Sequence, residues 1–315
     1  MIDTIQDAFA TEVFEGLSAR PKRLSSKWLY DEIGDQLFVN IMDSEEYYLT
    51  RCEFEILSEQ TSALVESFGV TDQCFDLYEL GAGDGTKTIE LLKGLKQFNY
   101  TYKPVDISHN AISTLEGRIQ NELPEVDIDG RHGEYFDVLS SMHSDNPKVI
   151  LFMGSNIGNL MDAQAHNFLT QLSAVMRSGD KLLLGVDLKK PKDIILPAYN
   201  DAQGYTADFN LNLLDRMNKE LGANFDRSKF IHRPVYDEHN GYAKSYLQST
   251  QQQVIDIERL ESSFSFEKGE TIYTEVSRKY DDEIIAAITR NTGLEIVRKF
   301  YDRKKYFCDV VFSKR

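Results

Sequence analysis

The residues best suited to chemistry begin with ELGAGDGT at positions 79–86, directly after an apolar segment and directly before a helical one. Glycines in such a place let the backbone approach a ligand at the carboxyl edge of a sheet, and a tight ligand-free turn is the other reading. The pattern is GxGxG behind an acidic residue, with its third glycine one position early for the dinucleotide fingerprint GxGxxG. With no pyrophosphate to cradle, a nucleoside with an amino-acid tail is the better match. Asp106 ends the next strand, 25 residues after Gly81, where a carboxylate accepts hydrogen bonds from both hydroxyls of a ribose. Glu134 and Tyr135 follow the third strand, where this kind of fold contacts adenine. Together these residues imply S-adenosylmethionine as cofactor.

A second cluster, GSNIGN at 154–159, follows the fourth strand and so belongs to the same edge of the sheet. Asn159 both donates and accepts, which suits a zwitterionic ligand, though such an amide also stabilises loops. A third, EEYYLTR at 45–51, mixes charge with aromatics in the manner of a packed surface helix. The fourth is TEVSRKY at 274–280, where period 2 puts Glu275 and Ser277 on one face of a strand. Two polar groups side by side either grip one polar ring or make up a solvated face.

The elements that position these clusters alternate. FDLYEL (75–80) reads as a buried strand, 89–95 as a helix, and the next strand ends at Pro104-Val105-Asp106. Ile112, Leu115, Ile119 and Leu123 recur at helical spacing; a third strand lies near 126–128, and VILFM (149–153) is a fourth. A helix carrying Phe168, Leu169, Leu172, Val175 and Met176 on one face stops at Ser178-Gly179-Asp180, before KLLLGVD (181–187). Five strands alternating with helices imply a parallel sheet with right-handed crossovers. The rhythm breaks after Lys190. Residues 191–275 hold a helix (210–221) and an alternating strand-like region around 243–257, which predicts an inserted lid or substrate domain. A helix at 281–291, strands at 294–301 and 306–313, and a turn at 302–305 then predict an antiparallel hairpin. That hairpin is the tail of a class I methyltransferase sheet, which is α/β and Rossmann-like with seven mostly parallel strands. The domains expected are therefore 1–190 with 276–315, and an inserted smaller α+β domain at 191–275.

Composition narrows the partners. The chain has 315 residues, 41% hydrophobic and 27% charged, and 35 basic against 51 acidic side chains give 35 − 51 = −16. Such a charge repels phosphate backbones and anionic membranes, so nucleic acid and membrane are not expected as partners. No apolar run approaches a spanning helix, and the first residues lack a signal-peptide pattern, so a cytoplasmic protein is expected. Cys52, Cys74 and Cys308 are far apart, with no CxxC and no His at metal spacing, so free thiols and no metal site are expected.

The four clusters, in this order, resemble the histidine-specific Nα-methyltransferase family of ergothioneine biosynthesis. The resemblance spans about residues 20–315 and also rests on PKRLSSKWLYDEIG (21–34), Phe38, Ala198-Tyr199-Asn-Asp201 and Phe209-Asn210. It implies transfer of methyl groups from S-adenosylmethionine to the α-amine of L-histidine, up to the trimethylated betaine, by a monomer. It further implies that Gly81, Lys87, Asp106, Glu134 and Tyr135 hold the cofactor, and that Asn159 and Tyr199 hold the amino-acid head group, with Tyr30 nearby. Tyr47, Glu275 and Ser277 would hold the imidazole. The sequence departs from the family at Leu49, Asn156 and Glu134-Tyr135. It departs further at Ser245, where a gap-free alignment from Tyr199 to Glu275 puts the bulky Met that members set against the ring. Methylation of another amino acid or small amine, and cofactor binding without catalysis, are the competing expectations.

Overall fold

The computed structural model describes residues 2–71, 73–139, 142 and 144–315, with the side chains of 2–6, 135 and 136 left aside. The chain forms two compact units, Tyr48–Lys190 with Arg278–Arg315, and Met1–Tyr47 with Pro191–Ser277.

The first unit is built on a sheet whose main strands are β1 (Phe75–Leu80), β2 (Tyr100–Asp106), β3 (Asp127–Ile128), β4 (Lys148–Phe152), β5 (Lys181–Asp187), β6 (Leu294–Tyr301) and β7 (Phe307–Lys314). Their order is β6-β7-β5-β4-β1-β2-β3, and a two-residue strand, Arg131–His132, also pairs with β2. β1 pairs in parallel with β2 and β4, β4 with β5, and β2 with β3, whereas β7 runs antiparallel to both β5 and β6. This is the expected class I methyltransferase sheet. Every residue of β1 and β4 is buried, as a parallel strand covered on both faces requires. Side chains of Tyr78, Ile150, Phe152, Phe168, Leu172, Leu184, Val310 and Phe312 form the core on one face.

In the second unit, a four-stranded sheet has the order Lys22–Arg23, Thr271–Arg278, Tyr242–Ser249, Phe230–Asp237, beside a hairpin of Gln253–Ile257 and Ser262–Phe266. Its core joins Phe9, Val13, Leu17, Trp28 and Leu29 to Phe209, Leu213, Leu214 and Met217 of the helix Tyr205–Leu221, and to Leu247, Ile272 and Phe266. The first 47 residues therefore group with the insert rather than with the large sheet, where the sequence reading puts them. The reason is hydrophobic: the apolar side of helix Ile2–Ser18 is buried in that core. Among the described residues, no helix is long and apolar enough to cross a membrane.

Candidate active site

In the first unit the glycine turn leaves β1 with positive φ at Gly81 (76°), Gly83 (56°) and Gly85 (72°), a run that L side chains rarely adopt. Asp106, at the end of β2, accepts from Gly83 N and Ser108 N, both at 2.9 Å. Burial pushes its carboxyl up, while those two backbone N–H groups work in the opposite direction. Gly133 N donates to Asp106 O at 3.0 Å, which brings the exposed Glu134 beside the same strand end. Gly81, Asp106 and Glu134 thus meet at one edge of the sheet; the Tyr135 side chain lies outside the described residues. A Cβ on Gly83 would meet nothing within 4 Å, so the fold leaves that side of the turn open beside a carboxylate with lone pairs to spare. A carboxylate acceptor so placed fits the two hydroxyl donors of a ribose.

Lys87, directly after the glycine turn and at the start of the helix Thr88–Gly94, meets a carboxylate. Its Nζ is bound to the carboxylate of Glu53, which is fully buried and also accepts from Gly154 N at 2.8 Å. Burial alone would lower the Lys87 ammonium, but the Glu53 charge and hydrogen bond outweigh it and hold it above the usual lysine range. Asp309 lies against the same pair. Burial, reinforced by the Glu53 charge, pushes its carboxyl well up. Glu53 therefore ties the start of the helix Thr88–Gly94 to the loop after β4 that carries Asn159. Burial likewise raises Glu79 to about 7, although Thr88 and Tyr102 both donate to it. Asn159 ends the short 3-10 turn Asn156–Asn159 and is half-buried; Ser155 before it is held at φ +57°. Sequence reasoning missed Glu53 and Asp309, because their partners are far away in the chain. The one available signal was an acidic residue inside the otherwise apolar β7.

The second unit gathers the other candidates. Tyr30 follows the turn Ser26–Leu29, and its ring lies 5.5 Å from Phe38 and 5.3 Å from Phe209; Tyr47 lies 6.3 Å from Phe38. Most of the PKRLSSKWLYDEIG motif is scaffolding around that cluster. Trp28 is buried with Nε1 donating to Glu12 at 2.9 Å, and Asp31 caps the helix Glu32–Asp43 through Gly34 N at 2.7 Å. Asp31 also accepts from Asn212 Nδ2 at 2.8 Å. Tyr199 OH donates to Ser277 Oγ at 2.7 Å. Alternation along Thr271–Arg278 puts half-buried Glu275 on the same side as Ser277 and Tyr273.

Ser245 lies elsewhere than the alignment suggests. Tyr246 stands 5.6 Å from Tyr273, so Tyr242, Lys244 and Tyr246 share the Glu275 side of the sheet. Ser245 is buried on the opposite side, where its carbonyl is 3.1 Å from Thr274 Oγ1, itself 2.6 Å from Asn210 Oδ1.

Residues 9–314 match the family described as "Histidine-specific methyltransferase, SAM-dependent". The chain belongs to this family. As a family member it is an S-adenosylmethionine-dependent methyltransferase. It is 36% identical over 297 residues to a histidine N-alpha-methyltransferase of Mycobacterium tuberculosis, covering 94% of this chain and 91% of that protein. A histidine N-alpha-methyltransferase of Mycolicibacterium smegmatis is 33% identical, with coverage of 93% and 90%. An L-tryptophan methyltransferase of Psilocybe serbica is 26% identical, with coverage of 94% and 90%.

Proposed function

We propose that this methyltransferase acts on the α-amino nitrogen of L-histidine, up to the trimethylated betaine, as a step of ergothioneine biosynthesis. The observation that carries the reading is the Tyr199–Ser277 hydrogen bond on the strand that presents Glu275. Because Ser277 Oγ accepts from Tyr199, its own proton is directed to another acceptor. Glu275 accepts. A donor and an acceptor side by side match the two nitrogens of a neutral imidazole.

When bound, S-adenosylmethionine supplies an electrophilic methyl group on a sulfonium centre. Gly81, Lys87, Asp106, Glu134 and Tyr135 hold the cofactor, and Lys87 also braces their loop through Glu53. Asn159 and Tyr199 orient the amino-acid head group, and Tyr47 stacks with Glu275 and Ser277 around the ring. The work of the protein is mainly alignment of a neutral amine for in-line attack. The ammonium of the free amino acid must first lose a proton to solvent, directly or along a water path in which the Tyr30 hydroxyl gives up its own proton as it accepts one.

Mass spectrometry of the protein incubated with S-adenosylmethionine and pooled amino acids tests this. Mono-, di- and trimethylated histidine are expected as the dominant products. The tryptophan-acting relative makes another amino acid the second reading, and a different methylated product would establish it. Thermal stabilisation by cofactor with no methylated product from any pool would leave only a binding protein.

A further inference from the structure

The chain crosses between its two units three times, at Tyr47–Tyr48, Lys190–Pro191 and Ser277–Arg278. Inside the first unit, a side chain at each crossing or one residue beyond it ends on one carboxylate: Tyr48 and Lys190 stand at their crossings, and Lys279 follows Arg278. Tyr48 OH donates to Asp187 at 2.8 and 3.0 Å, Lys190 Nζ lies 2.5 Å from Oδ1, and Lys279 Nζ lies 2.7 Å from Oδ2. Asp187 and Lys279 are fully buried, and Tyr48 and Lys190 nearly so. The backbone of Asp187 adds two more ties: its N donates to Ser155 Oγ at 3.0 Å, and its O accepts from Tyr280 N at 2.8 Å. Lys190 is further held by the carbonyls of Leu188 (2.6 Å) and Tyr306 (2.8 Å) and lies 4.6 Å over the Tyr48 ring.

A buried ion cluster of this kind is not an economical source of stability, since apolar side chains of equal volume commonly do as well. Its geometry offers position instead. Tyr47 is peptide-bonded to Tyr48, Ser277 stands two residues before Lys279, and Ser155 begins the turn that ends in Asn159. Resting on the proposed roles of Tyr47, Asn159 and Ser277, we propose that Asp187 is the positioning residue that sets these substrate-binding groups. It touches none of the reacting atoms and acts through Tyr48, Lys279 and Ser155.

Two variants test this. Asp187→Asn keeps the shape but withdraws the charge from two buried ammoniums. Lys279→Met cuts a single tether and leaves Asp187 and Lys190 as a neutral one-to-one pair, so it is the variant expected to fold. For Lys279→Met, KM for the amine that the wild type methylates should rise at least tenfold, while the Kd for S-adenosylhomocysteine stays within twofold. Asp187→Asn, where it folds, should show the larger KM rise with the same unchanged Kd. A wild-type KM in Lys279→Met, with or without a lower Tm, overturns the proposal and leaves the cluster a structural element. The same holds if KM and the cofactor Kd rise together. Because KM is read for whichever amine the wild type methylates, failure of histidine as the substrate shows in the wild-type product alone and is distinct from failure of Asp187 as the positioning group.

Discussion

Two glycines of one turn separate ligand contact from packing. Gly83 and Gly85 both have positive φ, so an alanine at either costs about 1–2 kcal/mol in backbone strain. They differ in what the added methyl meets. At Gly83 nothing lies within 4 Å, whereas at Gly85 the new Cβ would stand 2.2 Å from Leu115 Cδ1 of the helix His109–Glu122. Overpacking of that kind adds about 1–3 kcal/mol, and each kcal/mol moves Tm by about 2–4 °C in a domain of this size. Gly85→Ala should therefore melt about 2–12 °C below Gly83→Ala. Ligand affinity should run the other way. A methyl on the open side of the turn enters the space assigned to the nucleoside, and a clash of about 1.4–3 kcal/mol weakens S-adenosylhomocysteine about 10- to 150-fold. Calorimetric titration below Tm should show that loss for Gly83→Ala and less than about threefold for Gly85→Ala. Wild-type affinity in Gly83→Ala would mean that the open side of the turn is not the ligand side, and equal melting of the two variants would refute the packing argument.

Other outcomes follow from single groups. Glu275→Ala deletes a charged acceptor for the imidazole N–H, worth about 1.5–3 kcal/mol, so kcat/KM for histidine should fall roughly 10- to 150-fold with cofactor Kd unchanged; steady-state kinetics at wild-type values would remove Glu275 from the site. Tyr199→Phe loses the donor to Ser277, a neutral bond worth about 1 kcal/mol, and should raise the histidine KM about fivefold in the same assay. Burial lowers His232 to about 4 despite the nearby Asp201 charge, and neither ring nitrogen has a hydrogen-bond partner among the described residues. The unfolded chain protonates this ring near 6.5, so unfolding takes up a proton and stability falls as pH drops from about 6.5 toward 4, by about 3 kcal/mol. Glu79, raised to about 7 in the fold, acts in the opposite direction between about 7 and 4.5. Denaturant titrations of His232→Phe should therefore lose less stability from pH 7 to 5 than the wild type; parallel curves would show that His232 titrates normally.

The large sheet was legible because each of its strands is a local signal. VILFM is a continuous apolar run and FDLYEL and KLLLGVD are mostly apolar ones, each ended by glycine, aspartate or a loop cluster, as parallel strands buried on both faces commonly read. The terminal hairpin was legible from its turn. The strand Phe230–Asp237 was not, because Ile231, Arg233 and Val235 all face solvent and blur the alternation. Nor was the allegiance of the first 47 residues, since the partners of Phe9 and Trp28 lie about two hundred positions away. In the site, Gly81 and Asp106 were readable from spacing, because a strand end and the turn beside it are fixed by local geometry. The Lys87–Glu53 pairing and Asp187 were not: which carboxylate an ammonium meets depends on packing, and nothing in the local sequence specifies it. Ser245 shows the limit of counting residues from one strand to the next, where one position changes the side of the sheet.

The grouping of Met1–Tyr47 with Pro191–Ser277 also bears on the order of synthesis. Helix Ile2–Ser18 leaves the ribosome long before the helix and strands that cover Phe9, Val13 and Leu17, which emerge only with residues 205–277. At about 5–20 residues per second, that apolar side waits roughly 10–50 s for its partners. The large sheet closes later still, since β7 inserts between β5 and β6 and is made after both. The second unit cannot close before residues 48–190 of the first have been translated, nor the first before residues 191–277 of the second, so the nascent chain carries two unfinished cores at once and should engage holding chaperones.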